Sequence, residues 1–407
     1  PPPALAAAAN ALVAAATARE VGSRCTTAAT TAAAAIATLA VLVATGHLFS
    51  TTTFDLFGTA VLVLLLLRAL RLGGPVPWLL LGAATGVALH VKLLPAVVLA
   101  CCGLALLLCG PRRPLRPPWP WAAAALAVLL AAPHLTWQAA AGWPQLEMSR
   151  AIAAGSSGTS VERWEVLPLQ VLMVGPLLFP VFVAGLVVLW RSPQRWLAVA
   201  YLLLLAETAL TGGKPYYAMG PAPAVLAAAA APLLRWAARG PGRRPLAVLA
   251  VAGNLVGAGL STLPWLPVRD AGPLLAVNYD LGEQVGWPEL VRTVGEVTAG
   301  LPAASTAVIT ANYGEAGALA RARRQGADLP PVFSGHNGFA GWGPPPATTT
   351  TVVLVGLERP DVFGGCRLAA RLGNAAGLDN DEAGAPVSVC RYDGDRGADW
   401  PRLRHLG

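Results

Sequence analysis

Apolar runs close to the ~20 residues needed to span a bilayer repeat along the first two thirds of the chain, separated by short polar breaks. The pattern predicts ten spans: residues 3–18, 27–45, 54–70, 77–89, 94–109, 119–133, 166–190, 196–210, 218–236 and 246–264. The fourth and fifth are short and divided only by residues 90–93, which suggests a re-entrant or tightly kinked pair. After Pro267 the pattern changes. An amphipathic helix over 287–298, a buried strand over 305–310 and a capped helix over 312–323 follow, with further strands over 352–356, 367–372 and 386–391. Alternation of this kind predicts a small α/β domain. The expected architecture is therefore mainly α: a polytopic transmembrane helix bundle over 1–267, then an α/β domain over 268–407.

Composition agrees with the pattern. Only 12% of the 407 residues are charged, about half the ~25% usual in soluble domains, and mean hydropathy is +0.57. The net charge of +8 would suit nucleic acid, but its placement argues against that. Arginines gather after every second run, at Arg19 and Arg24, Arg68 and Arg71, Arg112, Arg113 and Arg116, Arg191 and Arg195, and Arg235, Arg239, Arg243 and Arg244. Positive residues mark cytoplasmic loops. Segments 46–53, 90–93, 134–165, 211–217 and everything from Trp265 onward then fall on the outer face, which expects a multi-pass plasma (inner) membrane protein with an extracytoplasmic C-terminal domain. The chain opens on PPPALAAAAN without a methionine or charged flank, so a fragment is expected.

Candidate chemistry clusters on that outer face. Asp55 is the only aspartate before Asp270; a carboxylate at the edge of a membrane helix usually faces a cavity, a partner or a substrate. A helix N-cap role, shared with Ser50 to Thr53, explains it equally well. His47 in the same stretch is a candidate substrate contact. Lys92 and Lys214 are the only two lysines, and both lie where the positive-inside rule leaves few cations. They are candidates for an anionic ligand, against simple snorkelling to the interface. Tyr216 and Tyr217 beside Lys214 read as an interfacial belt or as a platform for a sugar or lipid headgroup.

The loop 134–165 carries Trp137, Trp143 and Trp164, with Gln145, Glu147 and Arg150. In a helix over 143–154, Glu147 and Arg150 share a face, as a surface ion pair or as groups presented to substrate. Residues 155–160 give flexibility for closing over a site. In the C-terminal part, the turn ITANYGEAG leads into a helix N-terminus able to hold an anion. Within residues 333–346 stand His336, a structural hydrogen-bonding residue or a substrate contact, with Asn337 and Trp342. Cys25, Cys101, Cys102 and Cys109 read as packing residues. Cys366 and Cys390 are expected to form one disulfide in an oxidising exterior. Zinc-ligand spacing, a Walker loop, a serine elbow and a dinucleotide fingerprint are all lacking, so no metal and no cofactor are expected.

The stretches GHLFSTTTFDLF, HVKLL, GWPQLEMSRAIAAGSSGTS, TGGKPYYAMGPAP, TANYGEAGALAR and VFSGHNGFAGWGPPP resemble bacterial family 39 glycosyltransferases, relatives of the protein O-mannosyltransferases and the lipid A aminoarabinose transferase. The resemblance runs over nearly the whole chain in the same order. It implies a GT-C fold and inverting transfer of a sugar from a polyprenyl-phosphate donor to an extracytoplasmic glycan, lipid or protein acceptor. It also implies membrane lipids as surroundings, no nucleic acid, and no cofactor beyond the lipid-linked donor substrate. Under it, Asp55 and Glu147 are the candidate catalytic residues, and His47, Lys92, Arg150, Lys214, Tyr216, Tyr217 and His336 the candidate substrate contacts. Family members carry an acidic residue or pair in the first external loop as the base, and this chain starts after that region. A transporter or flippase, or a non-catalytic membrane receptor with an external ligand-binding domain, is the alternative; a transporter would show paired interrupted helices in related halves, and no internal repeat is visible.

Overall fold

The apolar runs fold as helices because the residues between the breaks are mostly Ala, Leu and Val, and a backbone in lipid must satisfy its own polar groups. The computed structural model describes residues 2–21, 26–155, 160–359 and 361–407, so Arg24 and Cys25 lie outside the described residues. Two compact units result, Pro1–Leu263 and Pro264–Gly407.

The membrane unit contains α1 (Pro2–Glu20), α2 (Thr26–Ala37), α3 (Ala40–Thr45), α4 (Thr51–Leu72), α5 (Pro75–Ala88), α6 (Leu94–Cys109) and α7 (Trp119–Ala140). It continues through α8 (Pro144–Ala153), α9 (Val166–Val174), α10 (Phe179–Trp190), α11 (Arg195–Thr211), α12 (Ala222–Ala237) and α13 (Arg243–Thr262). Among the described residues, α4, α7 and α13 are long and apolar enough to cross a bilayer, and α9 with α10, bent by 107° at their break, is either a broken span or a re-entrant loop. With the shorter apolar helices α5, α6 and α12, these define a multi-pass membrane protein. Side chains such as Leu62, Leu66, Phe182, Trp196 and Leu204 fill the core.

Three expectations change. The run 27–45 breaks between α2 and α3, and the run 166–190 breaks between α9 and α10. Asn254 explains both. From the buried interior of α13 its Nδ2 donates to the carbonyl of Thr38 at 2.8 Å and to that of Val174 at 3.2 Å, so one amide serves the backbone at both breaks. Gly175 makes the second break possible: its φ is +97° and any Cβ there would overlap the Asn254 amide. Thirdly, the polar loop starts later than residue 134, because α7 continues through Pro133 to Ala140.

In the C-terminal unit, α14 (Trp287–Thr298), β1 (Thr306–Thr310), α15 (Tyr313–Arg324), β2 (Val332–Ser334), β3 (Thr351–Val355), β4 (Gly364–Arg371), β5 (Pro386–Arg391) and α16 (Arg396–Leu403) follow in order. The sheet runs β2-β1-β3-β5-β4; β1 is parallel to β2 and β3, and β5 is antiparallel to β3 and β4. β2 went unforeseen because three residues carry almost no periodicity. Successive residues of β3 face opposite sides: Val353 and Val355 join Leu290, Val294 and Leu319, while Val352 and Leu354 join Trp400 and Leu403. A sheet covered on both faces gives an uninterrupted apolar run. A disulfide joins Cys366 to Cys390 across β4 and β5, stapling the exposed edge strand.

The expected anion site at the start of α15 is already filled. The Asn312 side chain accepts from the Glu315 N–H at 2.8 Å, and Glu315 Oε2 accepts from the Asn312 N–H at 3.0 Å, a capping box. The Tyr313 N–H donates to His336 Nδ1 at 3.1 Å. The chain's own side chains have taken these donors.

Two predictions follow from this packing. Asn254→Ala strands buried carbonyls at both breaks and is expected to cost about 1–3 kcal/mol, read as a lower Tm of the detergent-purified protein. The neighbouring Leu255→Ala, at an exposed position, should change Tm little. Burial pushes the Glu315 carboxyl from 4.5 up to about 7, against the Asn312 N–H bond and helped by Glu382. Because the folded pKa is the higher one, folding takes up a proton in this window, and stability falls as pH rises from 4.5 through 7. Glu315→Gln keeps an acceptor and is expected to match the parent near pH 5 and exceed it above pH 7 in thermal unfolding.

Candidate functional site

The site is built at the start of α4. Ser50 is the N-cap, its hydroxyl accepting from the Thr53 N–H, so Asp55 does not cap the helix. The Thr53 hydroxyl bonds the carbonyls of Thr45 at 2.9 Å and Leu48 at 2.8 Å, tying the preceding turn to the helix. Asp55 then sits in the second turn, 4% exposed, with Oδ1 lacking a hydrogen-bond partner among the described residues. Its neighbours come from distant sequence. Lys92, in the link between α5 and α6, holds its ammonium 4.0 Å from the Tyr217 ring centroid and 5.6 Å from that of Tyr216. The Asp55 charge acts on both Lys92 and Tyr217, and Lys92 also feels the like charge of Lys214.

Lys214 and the two tyrosines share a turn whose 3₁₀ segment is Pro215–Met219. Buried Gln170 of α9 anchors it, donating to the Pro215 carbonyl at 3.0 Å while accepting from the Tyr201 hydroxyl at 3.2 Å. The Gly213 N–H closes on the Thr208 carbonyl at 2.8 Å. Gly220 at the end of the turn lies against Thr59 of α4, where a Cβ would come within 2.4 Å of the Thr59 methyl. That contact sets how near the tyrosines come to Asp55.

Two ammonium groups repel each other, and two tyrosine faces attract a cation at short range. One carboxylate near two lysines leaves an excess of positive charge in an apolar bundle. The arrangement is chemically suited to an anion such as a phosphate.

The other sequence candidates lie elsewhere. Glu147 and Arg150 are exposed on α8 and make no ion pair with each other among the described residues. Their helix is held by buried Gln138, which accepts from the Gln145 N–H at 3.3 Å, and by the approach of Gly212 to Ala153. His47 is exposed. His336 belongs to the C-terminal unit, buried and stacked on His405 with centroids 4.7 Å apart; burial lowers its pKa. Of the residues 155–160 expected to close over a site, 156–159 lie outside the described residues. Sequence reading missed Thr59, Gln170, Tyr201 and Gly220. It also missed Glu207, a half-buried carboxylate on α11, for which a lone acid within an apolar run was the available signal.

With the geometry established, the class is a multi-pass membrane protein whose helical bundle brings an acidic, two basic and two phenolic side chains together. Residues 2–137 match the family model described as dolichyl-phosphate-mannose-protein mannosyltransferase. ArnT from Cupriavidus metallidurans bound to undecaprenyl phosphate is similar in structure, with a TM-score of 0.57 at 15% identity over 96% of this chain and 83% of that one. Its apo state gives a TM-score of 0.51 at 15% identity, over 95% and 83%. No curated protein matches the sequence. The chain has the ArnT-like GT-C fold, and the expected likeness to GT-C glycosyltransferases is borne out.

Gly220→Ala is expected to push the turn off α4 and lower stability by about 1–3 kcal/mol, as overpacking does. Thermal unfolding checks the magnitude.

Proposed function

We propose that this protein is an integral-membrane glycosyltransferase that moves a sugar from a polyprenyl-phosphate donor to an acceptor outside the cytoplasm, with inversion. The observation carrying the reading is the convergence of Lys92, Lys214, Tyr216 and Tyr217 around buried Asp55. The mannosyltransferase family model over residues 2–137 and the fold shared with an ArnT bound to undecaprenyl phosphate support the same donor class.

In this reading the acceptor nucleophile attacks the anomeric carbon, the bond from that carbon to the phosphate oxygen breaks, and polyprenyl phosphate leaves with the electron pair. Lys92 and Lys214 hold the negative charge that grows on the phosphate, the electrostatic contribution that dominates such transfers. The tyrosine rings keep the Lys92 ammonium aimed at it. Asp55, whose Oδ1 has no partner among the described residues, orients Lys92 and is the carboxylate of the cluster able to receive the acceptor proton. Glu147 and Arg150, displayed on α8, are proposed to meet the acceptor. The arginine clusters at the opposite helix ends and the disulfide of the C-terminal unit support an extracytoplasmic site in an oxidising compartment.

The test is transfer of radiolabelled sugar from polyprenyl-phosphate donors in membranes containing the protein. Lys92→Ala and Lys214→Ala are each expected to lower turnover about 10²–10³-fold while Tm changes little, and Asp55→Asn to lower it as well. Wild-type rates in both lysine variants would sink the phosphate assignment.

A further inference from the structure

A cavity of about 580 Å³ opens in the membrane unit where α1, α4, α6, α10 and α11 meet. It lies at the end of the bundle away from Asp55. Along α4, Asp55 and Arg71 are separated by about 24 Å at 1.5 Å per residue. The other helices agree: α6 begins beside Lys92 and ends at the cavity, while α11 begins at the cavity and ends beside Lys214.

The wall presents Arg71, Arg191 and Arg195 against a single carboxylate, Glu20. Glu20 is already occupied, accepting from Arg68 Nε at 3.2 Å and from the Arg71 guanidinium at 3.1 Å. Arg195 Nε donates to the Cys109 carbonyl at 3.0 Å, closing the end of α6. The Arg191 backbone N–H closes the end of α10 on the Val187 carbonyl at 3.2 Å, while its guanidinium has no hydrogen bond or ion pair among the described residues. The positive-inside rule accounts for arginines near such a loop. It does not require them to converge on a cavity whose carboxylate is already neutralised. Leu67 and Leu70 supply an apolar side, and Trp190, 58% exposed, stands at the rim.

We propose that this cavity binds the phosphate-bearing headgroup of an anionic phospholipid. A guanidinium fork matches phosphate oxygens in pairs, and basic pockets between membrane helices take anionic headgroups from the cytoplasmic leaflet. The volume is in the range of small-ligand sites. An apolar wall beside the cations suits a molecule with both a phosphate and a chain, and a tryptophan at the rim suits the interfacial depth. The site is separate from the transfer site, and its ligand is a resident lipid rather than a donor.

The full chain in non-ionic detergent is titrated with phosphatidylglycerol, phosphatidylcholine or inorganic phosphate, and thermal unfolding and co-purified lipid are read. Phosphatidylglycerol is expected to raise Tm by about 3 °C or more and to be retained severalfold over phosphatidylcholine. Arg191→Gln, which breaks no side-chain hydrogen bond or ion pair among the described residues, should keep the lipid-free Tm and lose most of that shift. Arg191→Lys, with a point charge and no fork, should fall between. Equal shifts with both lipids, or an undiminished shift in Arg191→Gln, would overturn the site. A shift reproduced in full by inorganic phosphate would overturn the lipid and leave a soluble anion as the ligand. The readout is binding, so failure here leaves the transfer reading untouched.

Discussion

A polar group inside an apolar bundle has no water to turn to, so it must find its partner within the protein or remain at a cost. The membrane unit shows both outcomes. Asn254 donates to the backbone at two helix breaks that would otherwise leave carbonyls stranded, so a single amide ties the α2–α3 link and the end of α9 to α13. Asp55 is as deeply buried and, like Asn254 Oδ1, its Oδ1 has no partner among the described residues, but here the orphan is a carboxylate oxygen in the field of a lysine. Stability alone does not favour such a position. Its survival next to Lys92 is what a ligand that completes the set would explain.

The same economy governs the turn carrying Lys214, Tyr216 and Tyr217. Gln170 bonds its backbone from below, Thr208 closes its entry and Thr59 abuts its exit. A turn braced from three helices presents its side chains at fixed distance, so the two ring faces meet Lys92 without the ordering cost of a loose loop. The opposite end of the bundle is organised differently. There the arginines meet carbonyls and Glu20 around open space, and the charge left over belongs to Arg191 and its neighbours.

In the C-terminal unit the sheet carries the folding and the loops carry the polar groups. β1 and β3 are buried on both faces, whereas β4 is an exposed edge tied down by the disulfide. The start of α15 is a closed system in which Asn312, Glu315 and His336 satisfy backbone and side chain together. A segment that looked receptive to an anion is thereby filled from within.

Local pattern settled much of this protein. The apolar runs located the helices of the first unit, two of them as broken pairs, and the strand readings over 305–310 and 352–356 found two central strands to within a residue. The scarcity of lysine and aspartate in the first 263 residues singled out Asp55, Lys92 and Lys214. These signals are legible because burial and membrane depth act residue by residue. The tertiary structure decided what no window of sequence contains. It broke two runs around Asn254 and Gly175, gave the cap to Ser50 rather than Asp55, and left Glu147 and Arg150 exposed on α8 without an ion pair to each other among the described residues. It also brought residues 55, 92 and 214–217 together and gathered Arg71, Arg191 and Arg195 around a cavity. Contacts between residues so far apart along the chain depend on how helices pack, and packing is set by shape and partner satisfaction rather than by local periodicity.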